Sequence, residues 1–427
     1  MDIHVVRAGE TVSSVAARYG VPAGILAGVN GVAPDAPLAV GQTLVIRHPR
    51  ELHTVASGES VYSIALRYGL SVRTLYQNNP ALGGRSALYP GQTLVIAYDD
   101  TPTRTLAVNA YSYPFIRGGL LDAALPYLTY LTPFTYGINA DGTLLPLADE
   151  WLLAAAGQYR TAALMHLSTL TEEGRFDNAR STLILEDADA QDALVQSILE
   201  TVQARHYFGL DVDFEYVLPE QREAYAAFIT RLREALNPLG CPVIVALAPK
   251  TSAAQRGLLY EAHDYTLLGA AANAVFLMTY EWGYAYGPPM AVAPLGQVRA
   301  VLDYALTAVA PEKIFMGIPL YGYDWPLPFV SGETRAESLS PVQAVARALR
   351  HDIAIQYAAA AQAPYYHYTD RGGRKHTVWF EDARSIEAKL RLADEYHLQG
   401  VGYWNLTRPF PQNWAVLASL FDIETLL

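Results

Sequence analysis

Tyr207-Phe208-Gly209-Leu210-Asp211-Val212-Asp213-Phe214-Glu215-Tyr216 is the most informative stretch of the chain. In a β-strand successive side chains alternate faces, so Asp211, Asp213 and Glu215 share one side and Val212, Phe214 and Tyr216 the other. Three carboxylates on one face of an otherwise apolar strand repel each other and resist burial. Such crowding raises the pKa of at least one member, which keeps a carboxylic acid protonated near neutral pH. The stretch therefore reads as a candidate general-acid strand. A Ca²⁺ loop or a solvated edge strand are the alternatives, but a Ca²⁺ loop would place Gly and Asn/Asp turn residues, not Val and Phe, between its acids.

The surrounding sequence extends this strand into an architecture. Strand-like apolar runs at 105–111, 128–138, 161–167, 207–216, 242–248, 274–281, 313–320 and 400–405 alternate with helical patterns. One helix is predicted over Pro219 to Leu236, with Tyr225, Phe228, Ile229 and Leu232 on one face. Eight such units over residues 104–427 predict an α/β fold, a (β/α)₈ TIM barrel. The longest gap follows the seventh strand. Within it Tyr366-His367-Tyr368-Thr369 and His376-Thr377-Val378-Trp379-Phe380 flank a Gly-Gly turn, so a small α+β insertion is expected at about 325–380, between strands 7 and 8.

The first 97 residues hold an internal repeat. His4-Val5-Val6-Arg7-Ala8-Gly9-Glu10-Thr11 recurs as His53-Thr54-Val55-Ala56-Ser57-Gly58-Glu59-Ser60, and Gly41-Gln42-Thr43-Leu44 as Gly91-Gln92-Thr93-Leu94. Each copy, 2–47 and 52–97, reads strand, helix, helix, strand. Val12, Val15 and Ala16, matched by Val61, Ile64 and Ala65, form helical stripes, and Thr11 and Ser60 suit N-caps. A short polar segment, 98–104, reads as a linker between units that fold separately.

Composition narrows the function. The formal net charge of -12 argues against a nucleic-acid surface. No apolar run approaches the length of a membrane span. The lone cysteine, Cys241, excludes an intrachain disulfide and reads as a core residue. The start Met1-Asp2-Ile3-His4-Val5 lacks the basic and apolar regions of a signal peptide, so synthesis in the cytosol is expected.

On a barrel, working residues gather at the C-terminal ends of the strands. Those ends carry Tyr111; Asp211, Asp213 and Glu215; Tyr280 and Glu281; Tyr321; and Trp404 with Asn405. Acids among aromatics describe a carbohydrate site, because aromatic faces stack on the apolar faces of sugars. With 29 tyrosines in the chain, aromatics alone decide nothing; their coincidence with strand ends is the argument.

The repeats resemble LysM modules, on Gly-Glu-Thr/Ser at the start and Gly-Gln-Thr-Leu at the end. That resemblance implies binding of N-acetylglucosamine-containing glycans, with Gly9, Thr11, Asn30, Gly58, Ser60 and Asn79 as candidate contacts. Gly209-x-Asp211-x-Asp213-x-Glu215, Met278-x-Tyr280 and Trp404 resemble the family 18 glycoside hydrolase signature. The resemblance implies retaining hydrolysis in which the substrate's N-acetyl oxygen attacks the anomeric carbon. It implies Glu215 as acid and then base, Asp213 as partner of the acetamido nitrogen, Asp211 as support, Tyr280 on the acetamido carbonyl and Trp404 as the floor. Tyr321, Glu281, Tyr111 and Asn405 are expected to bind substrate. Two departures are visible: Phe208 stands where the family's first motif aspartate lies, and Glu281 where many members have Asp.

The whole arrangement resembles the spore-cortex glycosidases of endospore-forming bacteria. It implies an N-acetylglucosaminidase of peptidoglycan deposited in the coat and cortex region, working as a monomer without metal or other cofactor. A chitinase and a non-catalytic glycan-binding protein are the other readings.

Overall fold

The computed structural model describes residues 1–171 and 176–427. Its centre is a closed parallel barrel of eight strands: β1 Arg104–Ser112, β2 Tyr130–Pro133, β3 Ala162–Ser168, β4 Gly209–Asp213, β5 Val243–Leu247, β6 Ala274–Leu277, β7 Ile314–Pro319 and β8 Gly400–Trp404. Each strand pairs in parallel with the next, and β8 returns to β1 through Gly400↔Ala107 to Tyr403↔Ala110. All eight fall on the runs predicted from the sequence. A last short strand, Phe421–Ile423, adds to the outer start of β1.

Alternation sorts the strands into two cores. Outward residues such as Val108, Ala110, Leu210 and Val212 pack under the helices. Inward residues Tyr111, Tyr130, Leu164, Ile244, Phe276 and Phe315 fill the barrel interior. The helix predicted after β4 runs from Arg222 to Leu236, entered through a 3₁₀ turn at Pro219–Gln221, and buries Tyr225, Phe228, Ile229 and Leu232.

Three expectations need correction. The strand expected over 207–216 ends at Asp213, and Tyr216 takes a left-handed φ of 58° and stands in solvent. Glu215 therefore sits just above the barrel rim, not on the strand. The run expected at 128–138 is divided: after β2 the chain turns, and Gly137–Ile138 pairs with Leu144–Leu145 in a separate ribbon. The insertion opens earlier than 325, because Gly322–Pro326 is the first strand, in chain order, of its five-stranded antiparallel sheet. The Gly-Gly hairpin within it is as predicted, with Thr369 opposite Lys375 and Gly373 at φ 82°.

The N-terminal repeats are two small modules. The first pairs Asp2–Val5 with Thr43–Ile46, and the second Pro49–Thr54 with Thr93–Tyr98, each around two short helices. They are not beads on a string. Val29, Val45, Val95 and Tyr98 share the main core of the barrel. Arg73 donates to the carbonyls of Pro126 (2.8 Å) and Leu128 (2.6 Å), and Gln412 donates to Asn30 (2.9 Å) and to the carbonyl of Thr43 (2.6 Å). The supposed linker is itself anchored, with Asp100 paired to the buried Arg47 at 2.6 Å. Modules and barrel fold onto one another because aliphatic residues at the ends of the repeats face the barrel's helices.

Candidate active site

The fourth strand carries the centre of the site. Asp211 and Asp213 point into the top of the barrel and are buried. Oδ2 of Asp211 accepts a hydrogen bond from Tyr111 on β1 at 2.7 Å. Burial pushes Asp211 up to about 7 despite that bond. Asp213 is likewise pushed up to about 7, by burial first and by Asp211 second. Like charges in one dry space cannot all ionise, so the cluster holds protons well above the ordinary carboxylate range.

Behind Asp213 stands His166 of β3, with Nε2 at 3.7 Å from Oδ2. Burial pushes this imidazole down to about 3, so it is neutral, and its Nδ1 lies 2.6 Å from the hydroxyl of Thr135. The histidine therefore supplies no positive charge to the aspartate. Oδ1 of Asp211 and Oδ1 of Asp213 are both buried without a hydrogen-bond partner among the described residues. A buried acceptor left unpaired costs about 1–3 kcal/mol, so each is a place where a ligand's donor would be welcome.

Glu215 lies half-buried at the rim. Burial, then Asp213, then Glu281, push it up to about 8. At neutral pH it carries a proton. Tyr280 follows β6, and burial with the fields of Asp213, Glu281, Glu215 and Asp211 holds its phenol well above the usual range. Its hydroxyl thus stays protonated among four acids, a donor available to an acceptor on a ligand.

Glu281 accepts from Tyr321 at 3.1 Å and from Tyr323 at 3.4 Å. Trp404 ends β8, with its ring edge-on to Phe134 (4.9 Å), Tyr111 (5.5 Å) and Tyr113 (5.9 Å). Together with Glu281, Tyr321, Tyr323, Ser338, Asn405 and Arg408 it lines an open cleft of about 640 Å³. The nine candidate catalytic and substrate-binding residues thus meet at one end of the barrel. Asn405 also pins the turn after β8, its Oδ1 accepting from the amide (3.1 Å) and hydroxyl of Thr407.

Phe208, in place of an aspartate, packs on Tyr130 at 5.8 Å within the aromatic floor of the barrel. That position therefore carries a ring instead of a further acid, and Tyr111 is the group that holds Asp211. Among the described residues, no group of three or more His, Cys, Asp or Glu side chains is arranged to hold a metal ion.

Several contributors were missed. Tyr113 and Phe115 stack at 4.9 Å at the mouth of the cleft, and Phe115 is 74 % exposed. Two aromatics just past the end of β1 were the signal. His166 was also legible as a lone polar residue on the inward face of an apolar strand. Ser338 and Arg408 come from the insertion and the turn after β8, whose approach to the cleft no local pattern reveals.

The modules correct two expectations. Asn30 and Asn79 are buried, and their amides are occupied inside the protein. Each amide donates to the helix carbonyl four residues back and to a strand carbonyl (Val45 or Val95), and accepts from that same strand residue's N–H. They staple the second helix to the last strand. Thr11 and Ser60 cap their helices, each accepting from an amide three residues on at 3.1 Å. Gly9 and Gly58 adopt φ of 79° and 84° in open loops.

The copies are also unequal. Ala39 of the first is buried in the core of the insertion, and the amide of Ile355 donates to the carbonyl of Val40 at 2.8 Å. The matching residue of the second copy, Tyr89, is 71 % exposed, as is Tyr62 at 68 %.

Two family models match the chain: glycosyl hydrolases family 18 over residues 171–408, and the LysM domain over 4–47 and 53–97. The chain belongs to glycosyl hydrolase family 18. It is a glycoside hydrolase, and its two LysM domains with the barrel imply binding of N-acetylglucosamine-containing glycan such as peptidoglycan. It is similar over 99% of its length, and of the relative's, to a cortical fragment-lytic enzyme of Bacillus subtilis (strain 168), at 40% identity. A crystal structure of the Bacillus cereus spore cortex-lytic enzyme SleL matches with a TM-score of 0.84 at 38% identity, covering 99% of this chain and 98% of that one. A chitinase from Chromobacterium violaceum ATCC 12472 matches the barrel, with a TM-score of 0.69 at 26% identity over 74% of this chain and 98% of the other.

Proposed function

We propose that the enzyme cleaves β-1,4 bonds of N-acetylglucosamine in peptidoglycan, with spore cortex fragments released during germination as its substrate. The names of the full-length relatives support this choice of glycan. The observation that carries the chemistry is the unpaired, buried Oδ1 of Asp213 beside a protonated Glu215.

Glu215 donates its proton to the departing glycosidic oxygen. Asp213 accepts the acetamido N–H through its free oxygen, and in the fraction ionised near pH 7 its charge stabilises the oxazolinium formed when the acetamido oxygen attacks C1. Tyr280 donates to the acetamido carbonyl oxygen and orients it. Glu215, now ionised, takes a proton from the water that opens the ring. Trp404 supplies the apolar floor, and Tyr111 holds Asp211 so that Asp211 in turn sets the charge on Asp213. The second LysM domain, with Tyr62 and Tyr89 exposed, is the better anchor of the two.

Mass spectrometry of digested cortex fragments tests this. N-acetylglucosamine at every new reducing end supports the assignment, and muramic acid there overturns it. Glu215→Gln should lower kcat by roughly 10²-fold or more while leaving the fold intact. A chitinase reading gains from the barrel's likeness to a chitinase, and faster turnover of soluble chitin oligomers than of cortex fragments would favour it.

A further inference from the structure

Arg408 is the one basic side chain among the described residues that line the cleft. It follows β8 by four residues, in the turn that Asn405 fixes through Thr407 and through the bond from the amide of Arg408 to the carbonyl of Asn405 at 3.3 Å. Its guanidinium makes no ion pair with a described carboxylate. Among the described residues its one side-chain hydrogen bond runs from Nη2 to the hydroxyl of Ser338, at 3.1 Å, on the facing strand of the insertion. A half-buried arginine held by its backbone and a single neutral contact retains most of its donor fork.

The rest of the site is acidic. Asp211, Asp213, Glu215 and Glu281 gather in it, and the whole chain carries a formal charge of -12. A neutral N-acetylglucosamine polymer offers an arginine hydroxyl and carbonyl acceptors but no anion to pair with. A muramoyl residue does, because its lactyl arm ends in a carboxylate, either directly or at the end of a short peptide. The carboxyl groups of this cleft, protonated or not, give such an anion no partner, so a cation is needed to meet it.

We propose that Arg408 is a specificity-determining residue that binds a carboxylate on the lactyl arm of a muramoyl unit next to the sugar being cleaved. The inference rests on the peptidoglycan reading. Ser338 holds one edge of the guanidinium, and the other nitrogens take the carboxylate in a forked, charge-assisted contact. The chain thereby favours peptidoglycan over chitin through the insertion and the β8 turn, not through the acids that do the chemistry.

The test compares kcat/KM of wild type, Arg408→Met and Arg408→Lys on four soluble oligomers. These are a chitin oligomer, one with muramic lactam, one with free lactyl carboxylates, and one with lactyl arms capped by L-alanine. The ratio of the carboxylate-bearing substrates to the chitin oligomer should fall about 10-fold or more in Arg408→Met. Arg408→Lys, which keeps the charge but not the fork, should fall less. The lactam, which has no carboxylate, should track chitin. The substrate that loses more, free lactyl or alanyl, identifies the source of the anion. An unchanged ratio, whether both activities fall or neither does, overturns the assignment. Failure of wild type itself to cleave any muramoyl substrate would instead overturn the peptidoglycan reading beneath it.

Discussion

The hydroxyl of Tyr111 on the first barrel strand donates to Asp211 on the fourth at 2.7 Å, across the interior of the barrel. This bond secures the acid behind the acid. Asp213 has no such donor among the described residues on its Oδ1, and His166 behind it is neutral. The free oxygen of Asp213 is the one a substrate amide can reach, while Asp211 is held by the protein.

That asymmetry orders two substitutions. Asp213→Asn removes the charge that stabilises the cyclic intermediate and should lower kcat strongly, by roughly 10²-fold. Asp211→Asn keeps the bond from Tyr111 and should cost less. Steady-state kinetics on a soluble fragment decide the matter, and a greater loss in Asp211→Asn would reverse the roles assigned here.

The same acids tie stability to pH. Asp211, Asp213 and Glu215 bind protons more tightly in the folded chain, at about 7, 7 and 8, than in the unfolded chain near 4. Their contribution to stability is complete below pH 4 and is lost as pH rises through 7 to 8. Asp213→Asn removes one such group, so its Tm should gain on that of wild type as pH is raised from 5 to 9. Thermal unfolding across that range measures it, and a constant Tm difference would show that Asp213 is not held protonated.

The docking of the LysM domains predicts what truncation does. Deleting residues 1–97 bares the helices that Val29, Val45 and Val95 cover and strips the partners of Pro126 and Leu128. The shortened enzyme should unfold at a lower temperature while still cleaving small fragments. Calorimetry beside a turnover assay checks both, and an unchanged Tm would mean the domains are independent after all.

The barrel was readable because parallel strands buried on both sides spell out apolar runs. The catalytic strand was readable because period-2 alternation puts Asp211 and Asp213 on one face. The same rule failed at Glu215, which lies beyond the strand's end where the backbone turns at Tyr216. Asn30 and Asn79 were misread because an asparagine that staples a helix to a strand looks, in sequence, like one that greets a sugar. The burial of Ala39 against Ile355 joins positions more than 300 residues apart, and neither segment carries a mark of the other.

The central claim is that the substrate's own acetamido group is the nucleophile. Glu281, the remaining acid among the described residues of the cleft, is held by Tyr321 and Tyr323 and is expected to bind substrate rather than attack it. A thiazoline analogue of N-acetylglucosamine mimics the cyclic intermediate and should compete with substrate, with an inhibition constant below KM. Inhibition of that kind is the predicted result. No inhibition, with a glycosyl adduct trapped on Glu281, would contradict the account.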